Sequence, residues 1–236
     1  MSVLSKGGNL SKSFGGIAAV NNVSIQAEKG TIVSVIGPNG AGKTTFFNLV
    51  TGFYTPDSGS VVFDEKLING LKPHQYSSVG MVRTFQNIHT FKELSVLENA
   101  LVGLHGRIPY GTFDMLFNTK KKKEQQKLAE EKATFLLREF GFGEYIHTIC
   151  KNMPYGMQKK LEIVRAVISD PKLVLLHEPA AGLNPQESAE LREAIRRLLD
   201  RDITVLLIEH DMKLVMEISD YIYVMDHGML ISEGAP

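Results

Sequence analysis

The stretch that most restricts this chain is residues 37–45, GPNGAGKTT, which fit the pattern G-x-x-x-x-G-K-[ST]. Glycines at this spacing let the backbone curl until successive N–H groups point at one centre, where they can hold phosphate oxygens. A helix starting directly afterwards adds the positive end of its dipole. The flanks supply that context. Residues 31–36 are an apolar run that reads as a strand, and residues 44–50 read as a helix stopped by Gly52, a residue suited to a helix C-terminus. Gly37, Asn39, Gly40, Ala41, Gly42, Lys43, Thr44 and Thr45 are therefore the expected phosphate cradle. In such a loop the lysine reaches the β- and γ-phosphates and the hydroxyl after it ligates Mg2+. A glycine-rich turn that binds nothing would not need the strand before it and the helix after it. The loop implies a nucleoside triphosphate but names neither the base nor the reaction.

The rest of the chain alternates strands and helices, with one long exception. Residues 23–27 and 57–63 read as early strand segments, the second with a turn. Residues 173–176 and 203–208 are continuous apolar runs, as expected of strands covered on both faces. Residues 221–225 and 229–231 suggest a terminal hairpin around Asp226-His227-Gly228. Asn184-Pro185-Gln186-Glu187 opens a helix: Asn caps it, Pro suits its first turn, and Glu completes a capping box. Such alternation predicts an α/β fold with a mainly parallel core sheet. Between them, residues 92–150 hold few strand signals. A charged helix begins at the lysines 120–123 and carries Leu128, Phe135, Leu136 and Phe140 near helical spacing as its expected apolar face. This middle stretch reads as an inserted helical lobe, roughly residues 92–168 of a single domain spanning 1–236. Its lysine run reads as a solvated helix face.

Bulk properties remove several classes. Lys plus Arg and Asp plus Glu both number 26, so no net field points to nucleic acid. Cys150 is the single cysteine, which excludes an intrachain disulfide. No apolar run approaches the ~18–20 residues that span a bilayer, so any membrane role is expected to run through a partner.

Several further motifs resemble the ATP-binding subunits of ABC transporters, over nearly the whole chain. The resemblance implies a P-loop NTPase of the ABC type, with an antiparallel β lobe beside the core sheet and the inserted helical subdomain. It implies that Phe14 stacks on adenine and that Gln86, within Arg83-Thr84-Phe85-Gln86-Asn87, senses Mg2+ and the attacking water. Tyr155-Gly156-Met157-Gln158 looks like the end of the Leu-Ser-Gly-Gly-Gln signature, making Tyr155, Gly156 and Gln158 contacts to ATP held by the opposite subunit. Glu178 matches the general base, Ala181-Gly182-Leu183-Asn184 the loop that crosses the dimer interface, and His210 the switch histidine at the γ-phosphate. The stretches VTGFYTPDSG, VRTFQN, LSVLENALVG, PAAGLNP and VLLIEHDM narrow the similarity to the ATPase subunits of branched-chain amino acid importers. Expected with it are ATP and Mg2+, membrane-spanning permease subunits, a second ATPase subunit, and a cytoplasmic place on the inner face of the cell membrane. Docking to the permease is expected around residues 86–101. A soluble ABC ATPase of DNA repair or translation usually needs two cassettes or a coiled-coil arm, and one cassette of this length argues against it.

The chain departs from that pattern in three places. His177 stands where the family has an aspartate that holds Mg2+, a hard ion that prefers oxygen. An imidazole brings no negative charge, and a free one titrates near ~6.5, so any defect is expected to worsen in acid. His177 as a zinc ligand is not expected, because no second His or Cys lies at ligand spacing. Met153-Pro154 stands where the family has Leu-Ser, and proline offers neither hydroxyl nor N–H. Family chains commonly continue beyond a sequence like Glu233-Gly234-Ala235-Pro236, which leaves truncation open. Weakened metal positioning and slow hydrolysis are the expected results. They leave a nucleotide-binding regulatory subunit as the alternative to an energising ATPase, in a homodimer or a heterodimer.

Overall fold

A computed structural model describes residues 3–84, 90–104 and 120–236, with side chains in the last segment from residue 123. Its centre is a 6-stranded sheet of β3 (Ile32–Ile36), β6 (Met81–Arg83), β7 (Leu173–His177), β8 (Thr204–Ile208), β9 (Tyr221–Asp226) and β10 (Met229–Gly234), in the order β10-β9-β3-β8-β7-β6. All neighbours pair in parallel except β10, which returns antiparallel beside β9. A second, 4-stranded sheet is antiparallel: β2 (Ile17–Glu28), β1 (Val3–Phe14), β4 (Ser58–Phe63) and β5 (Lys66–Leu67). The described helices are α1 (Lys43–Val50), α2 (Pro73–Val79), α3 (Val96–Val102), α4 (Lys120–Glu139), α5 (Tyr155–Val167), α6 (Pro185–Leu199) and α7 (Met212–Ile218).

Strand parity divides the core. Along β7, Leu173 and Leu175 face the antiparallel lobe and α1, where Leu10, Val23, Phe46, Phe47 and Phe63 fill the space. Val174 and Leu176 face the other way, against Ala133, Leu136, Val164 and Ile195 of the helices. β8 repeats the division, with Leu206 and Ile208 on the lobe side and Val205 and Leu207 on the helical side. Both faces of the sheet are thus dry at β7 and β8, which is why these strands are uninterrupted apolar runs.

Two expectations change. β1 is a 12-residue strand that no apolar run announces; its register slips between Gly7 and Leu10 and between Leu10 and Lys12 break the alternation of its pattern. On α4 the apolar face is not the expected one. Leu136 and Phe140 are buried, but Leu128 is 59% and Phe135 68% exposed. The face that packs is Ala129, Ala133, Leu136, Leu137 and Phe140, because alanines let α4 approach its neighbours closely while the larger side chains point outward.

Between β6 and β7 the described regular elements are α3, α4, a short 3-10 turn and α5, plus one isolated bridge between Ser95 and Ile149. No helix among the described residues is long and apolar enough to cross a membrane.

Candidate active site

The loop between β3 and α1 is shaped by two glycines that nothing larger could replace. At Gly37 (φ +149°) a Cβ would lie 2.0 Å from the Met225 carbonyl oxygen, and at Gly42 (φ +96°) 2.3 Å from that of Ala19. The first helical hydrogen bond runs from Phe46 N–H to the Gly42 carbonyl at 2.8 Å. The amides of Lys43, Thr44 and Thr45 therefore have no acceptor within the helix and stand at its positive end. Lys43 is buried, and its Nζ donates to the carbonyls of Gly37 (2.7 Å) and Pro38 (2.8 Å). Burial holds it below the usual lysine range, an effect that the carboxylate of Glu178 partly offsets. The cradle fits a polyphosphate: donors converge, and an anion would replace carbonyl oxygens as the partner of the ammonium.

β7 and β8 end side by side, each with a buried ionisable residue followed by a member of the Glu178–His210 pair. His177 faces α1, as strand parity requires, and is 3% exposed. Its Nε2 lies 3.0 Å from the Thr44 hydroxyl, and its ring stands 6.0 Å from that of Phe47. Burial, helped by the guanidinium of Arg83, pushes its pKa down to about 4. His177 is thus neutral across the ordinary range, which corrects the expectation of an acid defect near the free value: that titration is displaced well below it. The donor set suits a hydrated divalent ion through Thr44, whose lone pairs stay outward when the hydroxyl donates to Nε2. It lacks the carboxylate that would add charge.

The next residue, Glu178, adopts φ +47° although it precedes a proline, an uncommon backbone state for such a residue. It is held by hydrogen bonds from its own N–H to Ile208 O (2.8 Å) and from Ala181 N–H to its carbonyl (3.2 Å). Its Oε1 lies 2.6 Å from Nε2 of His210. A carboxylate only accepts, so the imidazole donates. Glu209, before His210, is 3% exposed.

The other expected residues lie further out. Phe14 is 43% exposed at the tip of the β1–β2 hairpin, packed edge-on against Tyr54 with centroids 5.2 Å apart, and so is no core residue. The return strand of that hairpin touches Gly42 through Ala19, which puts the tip beside the phosphate loop. The turn at Pro154-Tyr155-Gly156 faces the loop after β7. The Tyr155 hydroxyl donates to Ala181 O at 3.4 Å, and Gln158 Nε2 donates to Met153 O at 2.9 Å. Pro154 takes the N-cap position of α5 and gives it no side-chain hydrogen bond. Glu187 does so instead: its Oε1 accepts from Gly156 N–H at 3.2 Å while Oε2 accepts from Asn184 N–H at 3.0 Å. The structure thus brings together Lys43, Thr44, His177, Glu178 and His210. Gln86 lies outside the described residues. The capping-box role expected of Glu187 is present, but its contact to Gly156, and the contacts of Glu209 and the buried Lys159, were not singled out in the sequence, because they join segments far apart in the chain.

A family model described as "ABC transporter" matches residues 20–181. The LivG high-affinity branched-chain amino acid transport ATP-binding protein of Salmonella typhimurium is 46% identical over 94% of this chain and 88% of its own length. The corresponding BraF protein of Pseudomonas aeruginosa is 44% identical over 96% of this chain and 89% of its own. Among solved structures, the ADP conformation of an ATP-binding cassette of an ABC transporter superposes with a TM-score of 0.87 at 33% identity, covering 100% of this chain and 92% of that one.

Proposed function

Because this chain belongs to the ABC transporter family of ATP-binding proteins, we propose that it binds and hydrolyses ATP to drive the uptake of branched-chain amino acids. The observation that carries the reading is the Glu178–His210 pair, 2.6 Å apart, at the strand ends beside the phosphate loop. The likeness to the branched-chain importer proteins supports the substrate class. Nothing in this chain need touch an amino acid, so the partners implied are membrane-spanning permease subunits and a second ATPase subunit. On this reading the chain lies at the inner face of the cell membrane, held there through the permease.

The phosphates of ATP take over the donors of residues 37–45, and Lys43 exchanges the Gly37 and Pro38 carbonyls for phosphate oxygens. Phe14 offers its exposed ring to the adenine. Mg2+, when bound, would neutralise phosphate charge; Thr44 would hold it, with its hydroxyl donating to the neutral His177. Glu178 accepts a proton from the attacking water, and His210 fixes the orientation of that carboxylate through the shared hydrogen bond. Gln86 is proposed to orient the same water. Tyr155, Gly156 and Gln158 are proposed to meet the ATP held by the second subunit.

Steady-state ATPase activity of the chain assembled with its permease and sister ATPase, beside Glu178→Gln, tests the reading. The expected result is a loss of about 10²–10⁴-fold with ATP binding kept. Equal turnover by both proteins would remove Glu178 from the chemistry.

A further inference from the structure

Glu209 carries more than its neighbour. Its Oε1 accepts the N–H of Ala180 at 2.6 Å, and its Oε2 accepts those of His210 at 2.9 Å and Asp211 at 3.4 Å. Ala180 lies in the turn that follows Glu178, whereas His210 and Asp211 form the turn after β8. One side chain, almost wholly withdrawn from solvent, therefore fastens both active turns, each through a different oxygen. A third segment reaches the same place. Lys159 of the signature helix α5 is buried, and the charges of Glu162, Glu209 and Glu178 act on it, partly offsetting the burial that holds its pKa down. Glu209 touches no expected ligand position itself.

We propose that Glu209 is the positioning residue of the hydrolytic pair: its carboxylate fixes the turn after β7 against the turn after β8 and so creates the hydrogen bond between Glu178 and His210. The inference rests on the reading of that pair as the hydrolytic machinery. The chemistry explains why this position needs a carboxylate rather than any polar group. Backbone donors come from two different turns, one to Oε1 and two to Oε2, so both ends of the side chain must accept. A carboxamide has one accepting oxygen and one NH2, and its NH2 would confront an N–H of one turn or the other. Aspartate keeps both acceptors but is one methylene shorter, so it can serve one turn well and the other poorly.

The test uses Glu209→Gln and Glu209→Asp. In the assembled transporter, turnover is expected to fall about 10- to 100-fold for Gln, the scale of a small misplacement of reacting groups, and less for Asp. The affinity for a fluorescent ATP analogue is expected to stay within about threefold, because the phosphate loop is untouched. In the isolated, isotopically labelled full chain, the His210 ring nitrogen resonance is expected to lose its hydrogen-bonded position in the Gln variant and to keep it in part in Asp. Parental turnover per folded site in both variants overturns the inference. So does an unchanged His210 resonance, or a loss of ATP affinity as large as the loss of turnover. If Glu209→Gln does not fold, the Asp variant carries the same three readings. If the parental assembly itself hydrolyses no ATP, the functional reading fails, and the ring resonance still decides the present inference.

Discussion

The ends of β7 and β8 are built alike and secured differently. Each places a buried ionisable residue, His177 or Glu209, immediately before one member of the proposed hydrolytic pair, Glu178 or His210. Glu209 is tied by backbone donors from two turns, whereas the hydrogen bond of His177 runs to one side chain, the Thr44 hydroxyl. Backbone partners cannot be exchanged by mutation; a side-chain partner can. The β8 end is therefore a fixture, and the β7 end is a position where a different group can be accommodated. That contrast explains how a histidine can stand where relatives of this kind are expected to carry a carboxylate without disturbing the pair beside it.

Burial drives both residues toward their uncharged forms, and this gives the comparison its sharpest test. His177 has a folded pKa of about 4 against 6.5 for the free side chain. Between those values the unfolded chain holds more protons than the folded one, so stability falls as pH is lowered through the window. For this shift the loss by pH 4 amounts to about 3 kcal/mol. Denaturant unfolding with a chelator present is expected to show that loss in the parent and not in His177→Asn; equal slopes would mean that His177 titrates freely. Glu209 has the opposite sign. Its folded pKa is raised by burial, against the pull of its backbone donors, so its contribution is present at low pH and is lost as pH rises above 4.5 through the raised value. Glu209→Gln should flatten that part of the profile.

A smaller effect is expected when the missing carboxylate is restored. His177→Asp should lower the Mg2+ concentration needed for half-maximal turnover and raise turnover by about tenfold, the scale of one added charge contact near 1.4 kcal/mol. A Mg2+ titration that superposes on the parent's would show that the neutral imidazole already serves the ion, and the contrast between the strand ends would then lose its functional meaning. The smallest effect concerns the start of α5. Glu187→Ala removes the group that caps Gly156 and the turn at Asn184, and should cost about 1 kcal/mol in thermal unfolding. Pro154→Ser in the same background should recover part of it. If Glu187→Ala costs nothing, the cap at Gly156 is incidental.

The central strands and the phosphate loop were legible because their constraints are local. An apolar run such as residues 203–208 announces burial on both faces, and the loop glycines sit within a few residues of the lysine they serve. β1 was not legible, since slipped register hides its alternation. The face of α4 was misjudged because burial there belongs to Ala129 and Ala133, whose apolar signal is weak, and not to Leu128 and Phe135. In the site, Lys43 and Thr44 could be named from the loop motif, and His177, Glu178 and His210 from the family resemblance. The role of Glu209 and the contact of Glu187 with Gly156 could not, because they exist only once residues 29 and 31 positions away are folded against them; the cap that Glu187 gives Asn184 was legible, because it is local. The charge state of His177 was hidden for the same reason: free imidazole chemistry cannot know what will surround it.

The two-sided filling of β7 bears on how a gene for this chain can change. Adjacent residues of the strand answer to different neighbourhoods, the lobe and α1 on one side and the helices on the other. A substitution at residue 177 therefore alters one neighbourhood and leaves the next residue's surroundings in place. A single inserted or deleted codon within residues 173–177 would send every following side chain to the wrong side and carry the glutamate away from His210. A point replacement at this strand end is thus a local event, while a change of length there disturbs both layers at once.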